Sequence, residues 1–112
     1  ILNVHNTEMK TVPSPPDLAR STAIPLGPKT SATFMVWNSS ASASVEAKIQ
    51  VGFEDDPHAL FFDAGTWESL APVGTDGEAI VLSTSMAAEY SRVVVKGAGG
   101  EVVWIYPRTR EL

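Results

Sequence analysis

The strongest constraint on the fold is the alternation of apolar and polar residues in VEAKIQVGF, residues 45–53. The apolar positions are Val45, Ala47, Ile49, Val51 and Phe53, and the positions between them are Glu46, Lys48, Gln50 and Gly52. A period of two places successive side chains on opposite faces of an extended chain, so the pattern predicts a strand with one buried face.

Further segments rich in β-branched and aromatic residues also predict strands. They cover residues 33–38, 60–62, 80–83, 90–97 and 101–108, and Pro107 is expected to end the last one. The AGG at 98–100 predicts a tight hairpin turn, because glycine tolerates positive φ. A possible helical turn at 84–90 is too short to matter. The spacing predicts an all-β chain, with residues 33–112 forming an antiparallel β-sandwich or jelly roll.

The first 32 residues have a different composition. Pro13, Pro15, Pro16, Pro25 and Pro28 fall within residues 7–32. Proline lacks a donor N–H and fixes its own φ, which disfavours both helices and central strands. We therefore predict an extended, proline-rich arm over 1–32, with an edge strand possible at 1–5. Such an arm can wrap either its own domain or a neighbouring subunit.

Charge limits the possible partners. The 112-residue chain carries a net charge of −5 and has no cysteine. Between Ile49 and Ser91 it holds eight acidic residues and no Lys or Arg, so two faces of opposite sign are one interpretation and a solvated acidic face is the other. Nucleic acid is excluded as an expected partner, because phosphate binding needs a basic patch. No apolar run approaches the length of a membrane span.

Candidate catalytic and metal-binding residues are sparse. Glu54, Asp55, Asp56 and Asp63 could offer oxygen ligands to calcium, but they lack the spacing of a calcium loop and favour a solvated loop. His5 and His58 are isolated, and no serine stands in a G-x-S-x-G motif. The sequence therefore predicts no enzyme activity, no metal site and no cofactor. Asn38-Ser39-Ser40 matches the acceptor pattern for N-glycosylation.

Aromatic residues are the remaining candidates. In the last strand, Val102, Trp104 and Tyr106 share one face while Val103 and Ile105 share the other. Both faces are apolar, which indicates a strand covered on both sides, either by the arm or by another subunit. A sugar-stacking platform is the alternative. The residues predicted at an interface are Pro13, Pro15, Pro16, Ile24, Leu26, Trp104, Tyr106 and Arg108. Trp37 and Trp67 are predicted as core anchors.

The stretch from 45 to 106 resembles small β-sandwich modules of phage virion proteins, with a discoidin-like layout. The matching positions are Val45, Ile49, Val51, Asp63, Gly65, Trp67, Leu70, Tyr90, Arg92, Val93 and Val95. The resemblance implies that Trp67 is an anchor at the sandwich edge and that the protein functions in assembly.

Two functions follow as expectations. The first is a non-enzymatic structural protein of a phage or viral particle, located in the virion as a capsid-decorating, head–tail or tail component. Its partners would be other protein subunits, either copies of itself or capsid and tail proteins, with no nucleic acid and no membrane. The alternative is a secreted or cell-surface module that binds a glycan, with or without calcium.

Overall fold

Two antiparallel sheets form the protein in a computed structural model that describes residues 1–27, 30–53, 60–73, 79–85 and 88–111. These ranges contain no helix, and so no helix that is long and apolar enough to cross a membrane. The strands are β1 (Leu2–Val4), β2 (Glu8–Thr11), β3 (Ala19–Arg20), β4 (Ile24–Pro25), β5 (Thr30–Asn38), β6 (Val45–Gly52), β7 (Phe61–Asp63), β8 (Glu68–Leu70), β9 (Ala79–Thr84), β10 (Tyr90–Lys96) and β11 (Val102–Glu111). The predicted all-β antiparallel sandwich is confirmed.

The five-stranded sheet is built around β11 and β5. Its order is β1-β11-β5-β9, and β2 pairs with β11 on the same side as β1. The long β5–β11 ladder runs from Val103 opposite Asn38 to Glu111 opposite Thr30. The six-stranded sheet is built around β10 and β6, with β3 and β4 beside β10 and with β7 and β8 beside β6.

The core lies between the two sheets and is made of alternating side chains from both. In β6, the apolar side chains point inward as the alternation predicts; they are those of Val45, Ala47, Ile49 and Val51. The largest fully buried apolar side chains are Phe34, Leu70, Ile105, Val12, Val36, Val45, Val93, Val94, Val95, Val103 and Pro107. Phe53 is the exception to the predicted alternation, because β6 ends at Gly52 and the Phe53 side chain is 51% exposed.

The proline-rich leader lies along its own domain. β1 and β2 pair with β11 in one sheet, while β3 and β4 pair with β10 in the other. Val12 and Ile24 are buried in the core, so the leader also supplies interior side chains. Of the two alternatives for the leader, this single chain therefore adopts the one in which it wraps its own domain. The division of the chain at residue 32 stays a prediction.

The AGG segment does not form the predicted hairpin. β10 and β11 belong to different sheets, so residues 97–101 connect the two layers. Gly99 and Gly100 do have positive φ, 117° and 90°. The buried Glu101 carboxylate accepts hydrogen bonds from the backbone N–H groups of Ala98 and Gly99, at 3.0 and 2.8 Å. These hydrogen bonds stabilise the connection, which has no ladder between β10 and β11 to hold it.

Pro107 does not end the last strand. β11 continues to Glu111, and Pro107 is buried within it. Its carbonyl accepts a hydrogen bond from the N–H of His5, at 3.2 Å, between the segments where β2 and β1 pair with β11. In an antiparallel ladder the N–H and C=O of one residue point to the same side of the strand. The N–H that Pro107 lacks would therefore point into the gap between β2 and β1, so no ladder hydrogen bond of β11 is lost.

Candidate assembly surface

The outer face of the five-stranded sheet carries large apolar side chains. In β11 and β5 the residues facing the core are buried, while those between them face away from the other sheet. Across an antiparallel ladder, directly opposed residues lie on the same face about 5 Å apart. The strand register therefore shows which outward side chains are neighbours.

Two cross-strand rows form the centre of this face. The first runs Met9, Trp104, Trp37 and Ala79 across β2, β11, β5 and β9. The second runs Tyr106, Met35 and Val81 across β11, β5 and β9. We define the apolar patch as Met9, Met35, Trp37, Val81, Trp104 and Tyr106. Val81 is 63%, Met9 57% and Met35 39% exposed, and the three aromatic residues are half-buried.

The charges on this face are arginines at one end. Arg108 and Arg110 lie beyond Tyr106 on β11, opposite Thr33 and Ser31 of β5. Thr33 and Ser83 share a hydrogen bond between their hydroxyls, at 3.1 Å. Among the outward-facing described residues of β5, β9 and β11 there is no Asp, Glu or Lys. A sheet face rich in Trp, Tyr, Met and Arg and poor in acids and lysine has the composition of a protein interface.

The outer face of the six-stranded sheet is chemically different. It carries a network of charged groups on β6, β7 and β10. The Lys48 ammonium contacts Asp63 at 3.0 Å, the Lys96 ammonium lies 4.0 Å from Glu46, and the Arg92 Nε donates to Gln50 at 3.0 Å. These charged and polar groups pair with one another, whereas the outward side chains of the apolar patch carry no charge.

Trp67 belongs to this charged face and not to the core. Its half-buried ring lies 4.2 Å from the Lys48 ammonium and 4.4 Å from that of Lys96, measured to the ring centroid. Cation–π contact of this kind satisfies a Trp at the surface. Trp37 is half-buried too, because it takes an outward position in β5. The sequence predicts Trp37 and Trp67 as core anchors, but neither residue is part of the buried core cluster.

Two pKa shifts occur on the charged face. The pKa of Asp63 is lowered, first by the hydrogen bond from Gln50 and then by the one from Lys48. The pKa of Arg92 is lowered by burial and by the nearby Arg20, and its guanidinium stacks 3.8 Å from the Phe61 ring centroid. Both pKa shifts arise from the contacts between side chains on this face.

The predicted interface residues fall into separate regions. Trp104, Tyr106 and Arg108 come together on the outer face of the five-stranded sheet. Pro13 is half-buried, while Pro15 and Pro16 line an open depression of about 410 Å³ beside Leu18 and Lys96. Ile24 is buried and Leu26 packs against the core, so both side chains serve the interior of this chain. The structure does not bring these regions into one surface.

Met9, Met35 and Val81 were missed as surface candidates. The alternation that would identify Met35 is present in TFMVWN, where Phe34, Val36 and Asn38 occupy the opposite face. Val81 follows the same rule in β9. The joining of these positions to Met9 depends on pairing between distant segments, and no local signal in the sequence contains it.

Asn38 cannot serve as the glycosylation acceptor that its sequence pattern suggests. The side chain is fully buried, and its Nδ2 donates to the carbonyls of Ala43 and Leu70 at 2.8 and 3.2 Å. Its Oδ1 accepts from the N–H of Ser40 at 3.0 Å. Both ends of the amide are therefore engaged inside the protein.

In the described part of the chain, no group of three or more His, Asp or Glu side chains could hold a metal ion. Asp63 is occupied by Lys48 and Gln50. The other acids considered for calcium, Glu54–Asp56, lie outside the described residues, as does His58. His5 hydrogen-bonds through Nε2 to the Thr109 hydroxyl at 2.9 Å.

Comparison with known proteins finds a shared fold. No family model matches the chain, and no curated protein sequence matches it. Among solved structures it is similar to a protein from Bacillus endospore appendages, described as a novel family of disulfide-linked pili. The TM-score is 0.59 with 12% sequence identity, and the match covers 100% of this chain and 88% of that chain. At this level of identity the similarity shows a shared β-sandwich fold, and the resemblance to phage modules stays a prediction.

Proposed function

We propose that this chain is a non-enzymatic structural subunit of an ordered assembly outside the cell or on its surface. The observation that carries the proposal is the apolar patch, a contiguous set of outward Trp, Tyr, Met and Val side chains on one sheet. Monomeric proteins rarely leave an apolar sheet face of this size in contact with water, because burying it is favourable.

The patch favours a protein partner through its chemistry. Interfaces are enriched in Trp, Tyr, Met and Arg, which are the outward residues of β11 and β5. The opposite sheet carries paired charges. This asymmetry gives the molecule one face suited to association and another suited to water.

The shared fold supports the same proposal. The Bacillus endospore appendages are described as forming disulfide-linked pili, so a sandwich of this architecture occurs there in a pilus. The present chain has no cysteine. If it assembles similarly, these 112 residues do so without disulfide links. A virus or phage particle is the finer form of the proposal, and a filament or appendage is equally consistent with the patch.

The test is incorporation of a variant into the native assembly. Surface structures or particles are purified from cells producing this chain, and the chain is quantified in them by mass spectrometry. We expect the wild-type chain to be a stoichiometric component and Val81→Asp to be excluded, because it places a charge in the patch. Ser69→Asp, at an exposed position of β8 in the other sheet, is the matched control and should be incorporated normally. Absence of the wild-type chain from every such structure contradicts the proposal.

Glycan binding is the second candidate. The cross-strand pair Trp37 and Trp104 with Tyr106 presents half-exposed rings on which a sugar could stack. Its weakness is the shortage of partners for sugar hydroxyls, since the outward side chains of β5, β9 and β11 include no carboxylate or amide. A glycan array distinguishes the two functions: specific binding that is lost in Trp104→Ala, with the fold retained, favours the glycan.

A further inference from the structure

We propose that the occupant of the apolar patch is a second copy of this chain, docked face to face about a two-fold axis. This inference rests on the proposed function and names the partner at the same surface. It follows from the shape of the face, its area and the distribution of its charges.

Shape is the first reason. A β-sheet face with right-handed twist packs well on another sheet of the same twist, with strands about 30° apart and the sheets about 10 Å apart. The apolar patch lies on such a face. A second copy supplies an equivalent sheet with the same spacing of side chains, and a two-fold contact uses the identical surface on both partners.

Area is the second reason. The face is four strands wide and about nine residues long, measured along β11 and β5. The strand spacing and the rise per residue then give it a flat area of about 600 Å². The protruding side chains make the accessible area larger than the flat area. A standard interface buries about 800 Å² on each partner. The flat area alone is about three-quarters of that value, so the face supplies most of a standard interface.

Charge is the third reason. In face-to-face docking the two-fold axis lies in the plane of the interface, and each residue on the axis meets the same residue of the other copy. A charge on the axis would therefore meet its like. The central residues Met35, Tyr106 and Val81 are uncharged, and Arg108 and Arg110 lie at one end. With the axis across the strands along this central row, the two arginine ends point in opposite directions. The face can meet itself without opposing its own charges.

The first experiment measures self-association of the purified chain by sedimentation equilibrium. We expect a reversible dimer for the wild type and a dissociation constant at least about 100-fold weaker for Val81→Asp, because a carboxylate is buried without a partner. Met9→Asp, also at an exposed position, should act in the same direction. Ser69→Asp should dimerise as the wild type does. A circular dichroism spectrum of each variant shows that the sandwich is retained.

The second experiment tests the geometry. Because the chain has no cysteine, one spin label can be placed at Ser83→Cys on the proposed interface or at Ser69→Cys on the opposite sheet. Face-to-face docking gives a shorter intermolecular distance at Ser83 than at Ser69. The reverse order overturns the proposal, and so does a wild-type chain that remains monomeric at every concentration. If the chain is monomeric while Val81→Asp is still excluded from native assemblies, the proposed function survives and only the identity of the partner is wrong.

Discussion

Asn38 is the residue whose loss should cost most for its size. It is fully buried and satisfies two carbonyls and one backbone N–H at the end of β5. Asn38→Ala leaves these three groups without partners, so we expect the free energy of unfolding to fall by about 3 kcal/mol. Urea denaturation measures the change. Ser42→Ala, in the exposed loop nearby, should stay within about 0.5 kcal/mol of wild type. An equally small loss for Asn38→Ala would mean that the buried amide is dispensable.

Asp63 should give the stability a small dependence on pH. Its pKa is lowered in the folded protein by Gln50 and Lys48, so its contribution is present above the unfolded value of about 3.9 and is lost as pH falls through the folded value. Because the ion pair is exposed, we expect under about 1 kcal/mol. Denaturation at about pH 6 and about pH 3 should show a smaller loss in Asp63→Asn than in wild type. Identical losses in both proteins would remove Asp63 from the explanation.

Among the elements, the leader divides into a part that builds the core and a part that does not. Ile24 of β4 is buried, whereas the side chains of β1 are exposed. Ile24→Ala should lower the free energy of unfolding by about 2–4 kcal/mol through the cavity it leaves. Val4→Ala, 68% exposed, should change it by less than about 0.5 kcal/mol. Chemical denaturation compares the two. Similar small effects would show that the whole leader is peripheral.

The connection between β10 and β11 depends on two glycines with positive φ. Alanine at either position is strained, which costs about 1–2 kcal/mol. At Gly99 an added Cβ would also lie 2.7 Å from the Ser14 hydroxyl oxygen and 3.2 Å from the Ser14 Cα, while nothing lies within 4 Å at Gly100. Thermal unfolding should therefore rank wild type above Gly100→Ala and Gly100→Ala above Gly99→Ala. The opposite ranking of the two variants would contradict this placement of the loop against Ser14.

The sequence predicts the inward and outward faces of strands better than the partners of those strands. The period of two in β6 correctly placed Ala47 and Ile49 inside, because alternation is a local property of extended chain. The assignment of β10 and β11 to different sheets depends on contacts between distant segments, so the glycine turn alone suggested a hairpin. The same limit applies to the apolar patch. The sequence predicts Trp104 and Tyr106 at an interface, but Met35 and Val81 become their neighbours only through strand pairing.

At the scale of the whole molecule, the two outer faces differ in charge and in apolar character, as the proposed association requires. The six-stranded sheet pairs its lysines with acids and stacks Lys48 and Lys96 on Trp67. The five-stranded sheet leaves its apolar patch without a comparable charged cover. A net charge of −5 opposes nonspecific association of the copies. The proposed association uses the five-stranded sheet, where apolar burial opposes this repulsion.

This division predicts how solution conditions affect association. Because the chain has no cysteine, dithiothreitol should leave the dissociation constant of the dimer unchanged. Raising sodium chloride to about 1 M screens ion pairs and the mutual repulsion of two acidic chains, but it does not weaken apolar burial. We therefore expect sedimentation equilibrium to show equal or tighter association at high salt. Association should be weaker on cooling, because hydrophobic stabilisation weakens as the temperature is lowered. A dimer that dissociates in high salt would instead be held by charge pairs, and the apolar patch would not be its interface.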